Sequence, residues 1–187
     1  MSLTTIHSNS KCLVVGATNP TSIGFCVAQT LIRQGASHVT IVGRCESKLQ
    51  QAVELLKCTQ PIQDNDNKQQ ESDQHQHHYS CACHGIVGDL KHPEEFSTND
   101  FLESAVSKME GGLDVLVCCG GNGYSEYLGL DVDDLQSYRT MQDVLVLSPL
   151  FLAKQAIPYL SKSNMPHGGT IVMVGSVSGK CCCWFLL

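Results

Sequence analysis

The chain has 187 residues, 42% hydrophobic and 16% charged, which suits one globular domain with a substantial core and excludes a disordered chain. Its 12 basic and 18 acidic residues give a formal net charge of −6 with no run of Lys or Arg, which argues against a general nucleic-acid surface. The start, MSLTTIHSNSK, lacks the basic and apolar parts of a secretory signal, and no apolar run approaches the roughly 18 to 20 residues that span a bilayer. The expectation is therefore a cytoplasmic protein with no membrane partner, its 11 cysteines held as thiols.

The first apolar run, Cys12 to Val15, ends at Gly16 and predicts a buried strand. From Ser22 to Arg33 a helix follows, with Ile23, Val27, Leu31 and Ile32 on one face and Gly35 as its closing glycine. His38 to Val42 predicts a second strand, and Glu46 to Lys57 a helix with Leu49, Val53 and Leu56 at helical spacing. From about Thr59 to Ser80 the chain turns to Gln, Asp, Asn, His and Lys, a polar insertion that buries too little to offset its ordering entropy. Cys83 to Val87 predicts a third strand, Pro93 to Met109 a helix, and Leu113 to Cys119 a fourth strand leaving through Gly120, Gly121 and Gly123. Asp133 to Leu160 reads as one long helical region carrying Leu135, Tyr138, Val144, Leu147, Phe151 and Ile157, kinked at Pro149. Thr170 to Val174 is the fifth strand.

Continuous apolar strands alternating with amphipathic helices imply an α/β fold, a doubly wound parallel sheet of about five strands with helices on both faces. One Rossmann-like domain over residues 1–187 is expected. In such a sheet the turn after the first strand faces a pyrophosphate through the free N–H groups and positive dipole end of the first helix. Gly16, Thr18, Ser22, Ile23 and Gly24 are the candidates here, Gly16 for the turn and Gly24 for close helix packing. The usual Gly-x-Gly-x-x-Gly pattern is altered, with Ser22 at a middle glycine position in a longer loop. After the second strand stands Arg44, where an NAD enzyme carries a carboxylate for the ribose; a guanidinium there suits a 2′-phosphate, so NADP is expected over NAD.

The segments GATNPTSIG, VGRCESKL, LDVLVCCGG and GGTIVMVGSVSG, with Asp89-Leu90 after the third strand, resemble the motifs of the short-chain dehydrogenase/reductase family over about Lys11 to Gly179. The first is similar to the longer glycine loop of enoyl-acyl-carrier-protein reductases. The resemblance implies an oxidoreductase that binds a nicotinamide dinucleotide and acts on a carbonyl or alcohol. It assigns Asp89 and Leu90 to the adenine, Cys119 and Gly120 to the cofactor wall, and the catalytic serine to Ser176. The long 133–160 helix is similar to one that builds the family's dimer interface, a fold-level analogy that admits a homo-oligomer and leaves the oligomeric state open.

Several positions depart from the family's pattern. Cys118 and Cys119 replace a pair of asparagines, and Leu145 stands where the catalytic asparagine is expected. The Tyr-x-x-x-Lys pair, due roughly a dozen residues past Ser176, is absent: Tyr124, Tyr127, Tyr138 and Tyr159 have no lysine four residues on. The tail at 181–187, CCCWFLL, has no family counterpart, and a truncated form is expected, its fifth strand left as an apolar edge. Two other readings stay open. One is a non-catalytic, cofactor-binding isoform. The other is a metal-binding interaction module around His75, His77, His78, Cys81, Cys83 and His84, whose spacing fits no paired Cys-x-x-Cys framework, so no metal ligands are assigned.

Overall fold

The computed structural model describes residues 9–60, 81–121, 135–162 and 168–175. Five strands, β1 (Lys11–Val15), β2 (His38–Gly43), β3 (Ala82–Val87), β4 (Val115–Cys118) and β5 (Thr170–Met173), form one parallel sheet in the order β3-β2-β1-β4-β5. The central strand β1 pairs Val15 with Val42 on one side and with Cys118 on the other. Its last four residues are buried, as a strand covered on both faces requires.

Side-chain alternation divides the strands between two cores. Cys12, Val14, Val39, Ile41, Val115 and Val117 face α1 (Ile23–Arg33) and α2 (Glu46–Lys57), which contribute Phe25, Ala28, Leu31, Leu49 and Leu56. Leu13, Val15, Val42, Leu116 and Cys118 face the other layer, built from α3 (Asp100–Ser107) and α5 (Ser148–Leu160) with Leu102, Val106, Leu152 and Ala156. The doubly wound sheet expected from the sequence is the fold observed.

α2 has the expected bounds. α1 ends as expected, with Gly35 at φ 90°, the Gly35 N–H on the Ile32 carbonyl and the Ala36 N–H on that of Leu31, a Schellman closure. Ile23, grouped with the apolar face of α1 and also a candidate for the cofactor site, is 63% exposed. It occupies the first turn of α1, which borders a cleft and not the sheet.

The helix expected over Pro93 to Met109 is two pieces, a 3-10 turn at Pro93–Phe96 and then α3. Between them the Ser97 hydroxyl donates to the Glu94 carbonyl (2.7 Å) and the Thr98 hydroxyl to the Asp100 carboxylate (3.2 Å), local bonds that compete with a helical ladder. Phe96, 1% exposed, anchors the break edge-on to Phe101.

The long helical region runs unbroken from α4 (Leu135–Gln142) through a π-helical turn, Asp143–Leu147, into α5. Pro149 lacks an N–H, and its ring would strike the Leu145 carbonyl in regular α geometry. The wide turn that precedes it relieves this without a break. Val144, Ser148, Leu152, Ala156 and Leu160 recur every four residues and are buried. Tyr138, Leu147 and Ile157, which the helical pattern grouped with Val144, are exposed, as are Leu145, Val146 and Leu150. By length and composition alone the stretch Gln136–Leu160 also passes for a membrane-crossing helix, which the apolar-run criterion did not anticipate; its buried face packs in the second core. Among the described residues β5 is an edge strand, with Ile171, Val172, Met173 and Val174 exposed. The insertion beyond residue 60, Ser176 and the tail lie outside the described residues.

Candidate functional site

Strand order reverses direction around β1, so α1 leaves on one side of the sheet and α5 approaches on the other. The C-terminal ends of β1 and β4 therefore part into a crevice, the usual ligand position in an open α/β sheet. A cleft of about 710 Å³ occupies it.

Gly16 opens the cleft floor directly after β1, its N–H on the Val42 carbonyl at 3.1 Å. Its φ of +84° favours glycine, and a Cβ there would lie 2.9 Å from the Cys119 carbonyl group and the Gly120 nitrogen. Gly24 sits one layer beneath, where a Cβ would approach the Gly16 oxygen to 2.5 Å, so α1 rests directly on the turn.

Ser22, read in the sequence as a missing glycine, is the N-cap of α1. Its Oγ accepts the Phe25 N–H (3.2 Å) and donates to the Asn19 carbonyl (2.7 Å). The Asn19 side-chain oxygen accepts from both the N–H and the hydroxyl of Thr21, which holds the added loop residues. Among the described residues the N–H groups of Ile23 and Gly24 have no acceptor, leaving the positive end of α1 available to an anion.

Thr18 packs its methyl group against Gly43, where no side chain obstructs it. Arg44 follows, exposed, on the same wall. Cys45, the N-cap of α2, lies beside it with its thiol 3.3 Å from the Ser47 hydroxyl. Hydrogen bonds from Ser47 and the Lys48 backbone, with the nearby Lys48 charge, hold that thiol below its ordinary pKa.

Opposite, Asp89 accepts the Lys91 N–H at 3.1 Å, and Leu90 packs over Gly120. Leu90 is held by the Ser148 hydroxyl, which is fully buried and donates to its carbonyl at 2.8 Å. Cys119 and Gly120 complete the floor. Cys118, one residue earlier, is core, and burial pushes its thiol up to about 12. Leu145 is 49% exposed in the π turn and does not line the cleft, whereas Val144 does.

The structure thus brings Gly16, Thr18, Ser22, Ile23, Arg44, Asp89, Leu90, Cys119 and Gly120 to one cleft, with Gly24 beneath it. Ser176 lies outside the described residues. Sequence reading missed Lys48, Gln51 and Leu55, one stripe of α2 that forms a further wall. The signal was present: Leu55, at 49% exposure, is an apolar residue off the Leu49, Val53, Leu56 core face.

Alternation along β3 parts the described members of the His/Cys cluster. Cys83 points into the first core, and the next residue, His84, stacks on His38 across the sheet at 6.4 Å and 19°. Among the described residues no group of three His, Cys, Asp or Glu side chains could hold a metal ion; His75, His77 and His78 lie outside them. Burial holds both imidazoles below their ordinary pKa, His84 further through His38, Lys108 and Lys57. On His38 the Glu110 carboxylate, 3.9 Å away, works against burial, while the Lys11 charge lowers the pKa further. The unfolded chain therefore takes up protons first, so stability should fall as pH drops below about 6.5 and on through the depressed native values. Urea midpoints at pH 7.5 and 5.5 test this; His84→Asn should shrink the difference, and an unchanged difference contradicts the assignment.

A family model described as short chain dehydrogenase matches residues 59–183. Human dehydrogenase/reductase SDR family member 4 is 25% identical over 173 residues, covering 91% of this chain and 51% of that protein. The chain thus spans about half the length of the curated relatives it matches. A short-chain type dehydrogenase/reductase from Mycobacterium ulcerans superposes with a TM-score of 0.69 at 24% identity, over 91% of this chain and 52% of that one. L-sorbose reductase from Gluconobacter frateurii, solved with NADPH and L-sorbose, gives 0.60 at 20%, over 81% and 47%. With that model matched over more than half of this chain and the strand order, glycine turn and cleft in place, the chain belongs to the short-chain dehydrogenase family.

Proposed function

We propose that this chain binds a nicotinamide dinucleotide in the cleft over β1 and β4, with NADP preferred to NAD. The observation that carries the reading is the joining, in one cleft, of a glycine turn capped by the positive end of α1 and an exposed arginine directly after β2. The pyrophosphate would lie against the N–H groups of Ile23 and Gly24, and the adenine between Arg44 and the Asp89–Leu90 turn. Bound there, the cofactor supplies a hydride acceptor or donor for a carbonyl/alcohol pair. Ser176 would be the residue that polarises the substrate oxygen. The NADPH complex of the sorbose reductase supports the cofactor class.

Arg44→Ala tests the preference. By calorimetry its Kd for NADPH should rise about tenfold or more, the worth of a charge-assisted contact, while that for NADH stays the same. Equal losses for both cofactors would reject the 2′-phosphate role, and no binding of either by the parent chain would reject the cofactor site.

We further propose self-association through the exposed apolar face of Tyr138, Val146, Leu150 and Ile157. Sedimentation of the parent chain should show a dimer that Leu150→Glu with Ile157→Glu dissociates; a monomeric parent chain rejects the proposal.

A further inference from the structure

Lys48, in the first turn of α2, heads the helical stripe Lys48, Gln51, Ala52, Leu55 that walls the cleft beside Arg44. The cleft it enters is unlike the rest of the molecule. In a chain of net charge −6, the charged side chains lining it are Arg44, Lys48 and Lys91, with Asp89 as the one carboxylate among the described residues. Concave, low-dielectric walls of one sign concentrate the field and attract a polyanion. Glu46, the acid nearest Arg44 in sequence, does not line the cleft. Among the described residues neither Arg44 nor Lys48 has an ion-pair partner, whereas Lys57 at the far end of α2 is neutralised by Glu54 at 2.9 Å.

A phosphate monoester carries about −1.5 to −2 charges at neutral pH, more than one guanidinium balances. Arg44 follows the C-terminal end of β2 and carries a planar fork, suited to two oxygens of such a group. Lys48 approaches from the helix wall as a compact, mobile point charge with three donors. The two cations come from different elements and flank Cys45, whose thiol already responds to the Lys48 charge.

We propose that Lys48 is a second specificity-determining residue of this cleft, the cation that completes the neutralisation of a 2′-phosphate begun by Arg44. The inference rests on the cofactor reading above and deepens it. Adenosine 2′,5′-bisphosphate and 5′-ADP isolate this corner from the nicotinamide end. The first carries the 2′-phosphate and the second does not.

Calorimetry of the full 187-residue chain and its Lys48→Met variant, which keeps the aliphatic stem, compares the two probes. Lys48→Met should weaken the 2′,5′-bisphosphate about tenfold and leave 5′-ADP within twofold, and Lys48→Arg should restore most of the loss. Weaker salt dependence for the 2′,5′-bisphosphate should accompany the loss. Lys48 is exposed, so circular dichroism should show all variants folded. If Lys48→Met binds both probes like the parent chain, or loses both equally, Lys48 has no such role. If Arg44→Ala alone loses the 2′,5′-bisphosphate, the cofactor reading stands and the Lys48 inference falls. If the parent chain binds neither probe, the cofactor reading itself fails.

Discussion

Gly16→Ala is expected to abolish measurable dinucleotide binding and to lower stability by about 2–4 kcal/mol, from a non-glycine residue at positive φ and a methyl group forced on packed atoms. The atoms that a Cβ would meet are backbone, the carbonyl group of Cys119 and the nitrogen of Gly120, each 2.9 Å away. A flexible side chain could swing aside, but a strand end hydrogen-bonded to β1 through the Cys119 N–H at 3.0 Å cannot do so cheaply. The turn must shift, and the first turn of α1 shifts with it, because Gly24 rests on the Gly16 oxygen. Gly24→Ala should therefore reproduce the binding loss from the other side of the same contact. Gly121→Ala is the stability control, since a Cβ there meets nothing within 4 Å. Urea titration and NADPH calorimetry of the three variants decide the matter; parent-like binding in Gly16→Ala would refute the close approach.

The sheet was legible because a strand buried on both faces must be apolar at every position, and runs such as Leu13 to Val15 and Val115 to Cys118 have few other uses. The bounds of α2 were legible for a similar reason: Leu49, Val53 and Leu56 face the sheet through its length. What failed to read correctly lies where apolar residues line something other than the core. Leu55 borders the cleft, off the core face of α2, and Tyr138 and Ile157 cover an outer helix face, although the helical pattern grouped those two with Val144. Periodicity records which side of a helix is apolar but carries no information about what lies against it. The break at Ser97 and the π turn before Pro149 were missed because both depend on single hydrogen bonds or one absent N–H, which composition averages away. At the site, the glycine turn and Arg44 were legible from their places after β1 and β2. Lys48 was not, since in sequence it is one more charged residue on an exposed helix face, and only the curvature of the cleft gives it a neighbour.

The 187-residue chain is expected to bind NADPH yet give no hydride transfer above background across a panel of ketones and aldehydes. Reduction of a carbonyl needs a proton delivered to the oxygen as hydride reaches the carbon, and a positioned acid typically supplies a factor of about 10²–10⁴. The chain has no Tyr-x-x-x-Lys pair to serve as that acid. The titratable side chains that line the cleft among the described residues are Arg44, Cys45, Lys48, Asp89, Lys91 and Cys119, with no phenol among them. Burial holds the Cys119 thiol above its ordinary range. In the proposed binding mode Asp89 and Lys91 would lie beside the adenine, away from the nicotinamide. Tyr138 is 55% exposed on the outer helix face, and Tyr159 packs against the second core. Leu145 adds no polar relay where the family carries asparagine. In the role proposed for it, Ser176 would polarise a carbonyl without replacing the missing acid. NADPH consumption, followed by absorbance with each substrate, should match the protein-free control and be the same for Ser176→Ala. Turnover that Ser176→Ala removes would overturn the prediction and mean that some other group, outside the described residues, protonates the substrate.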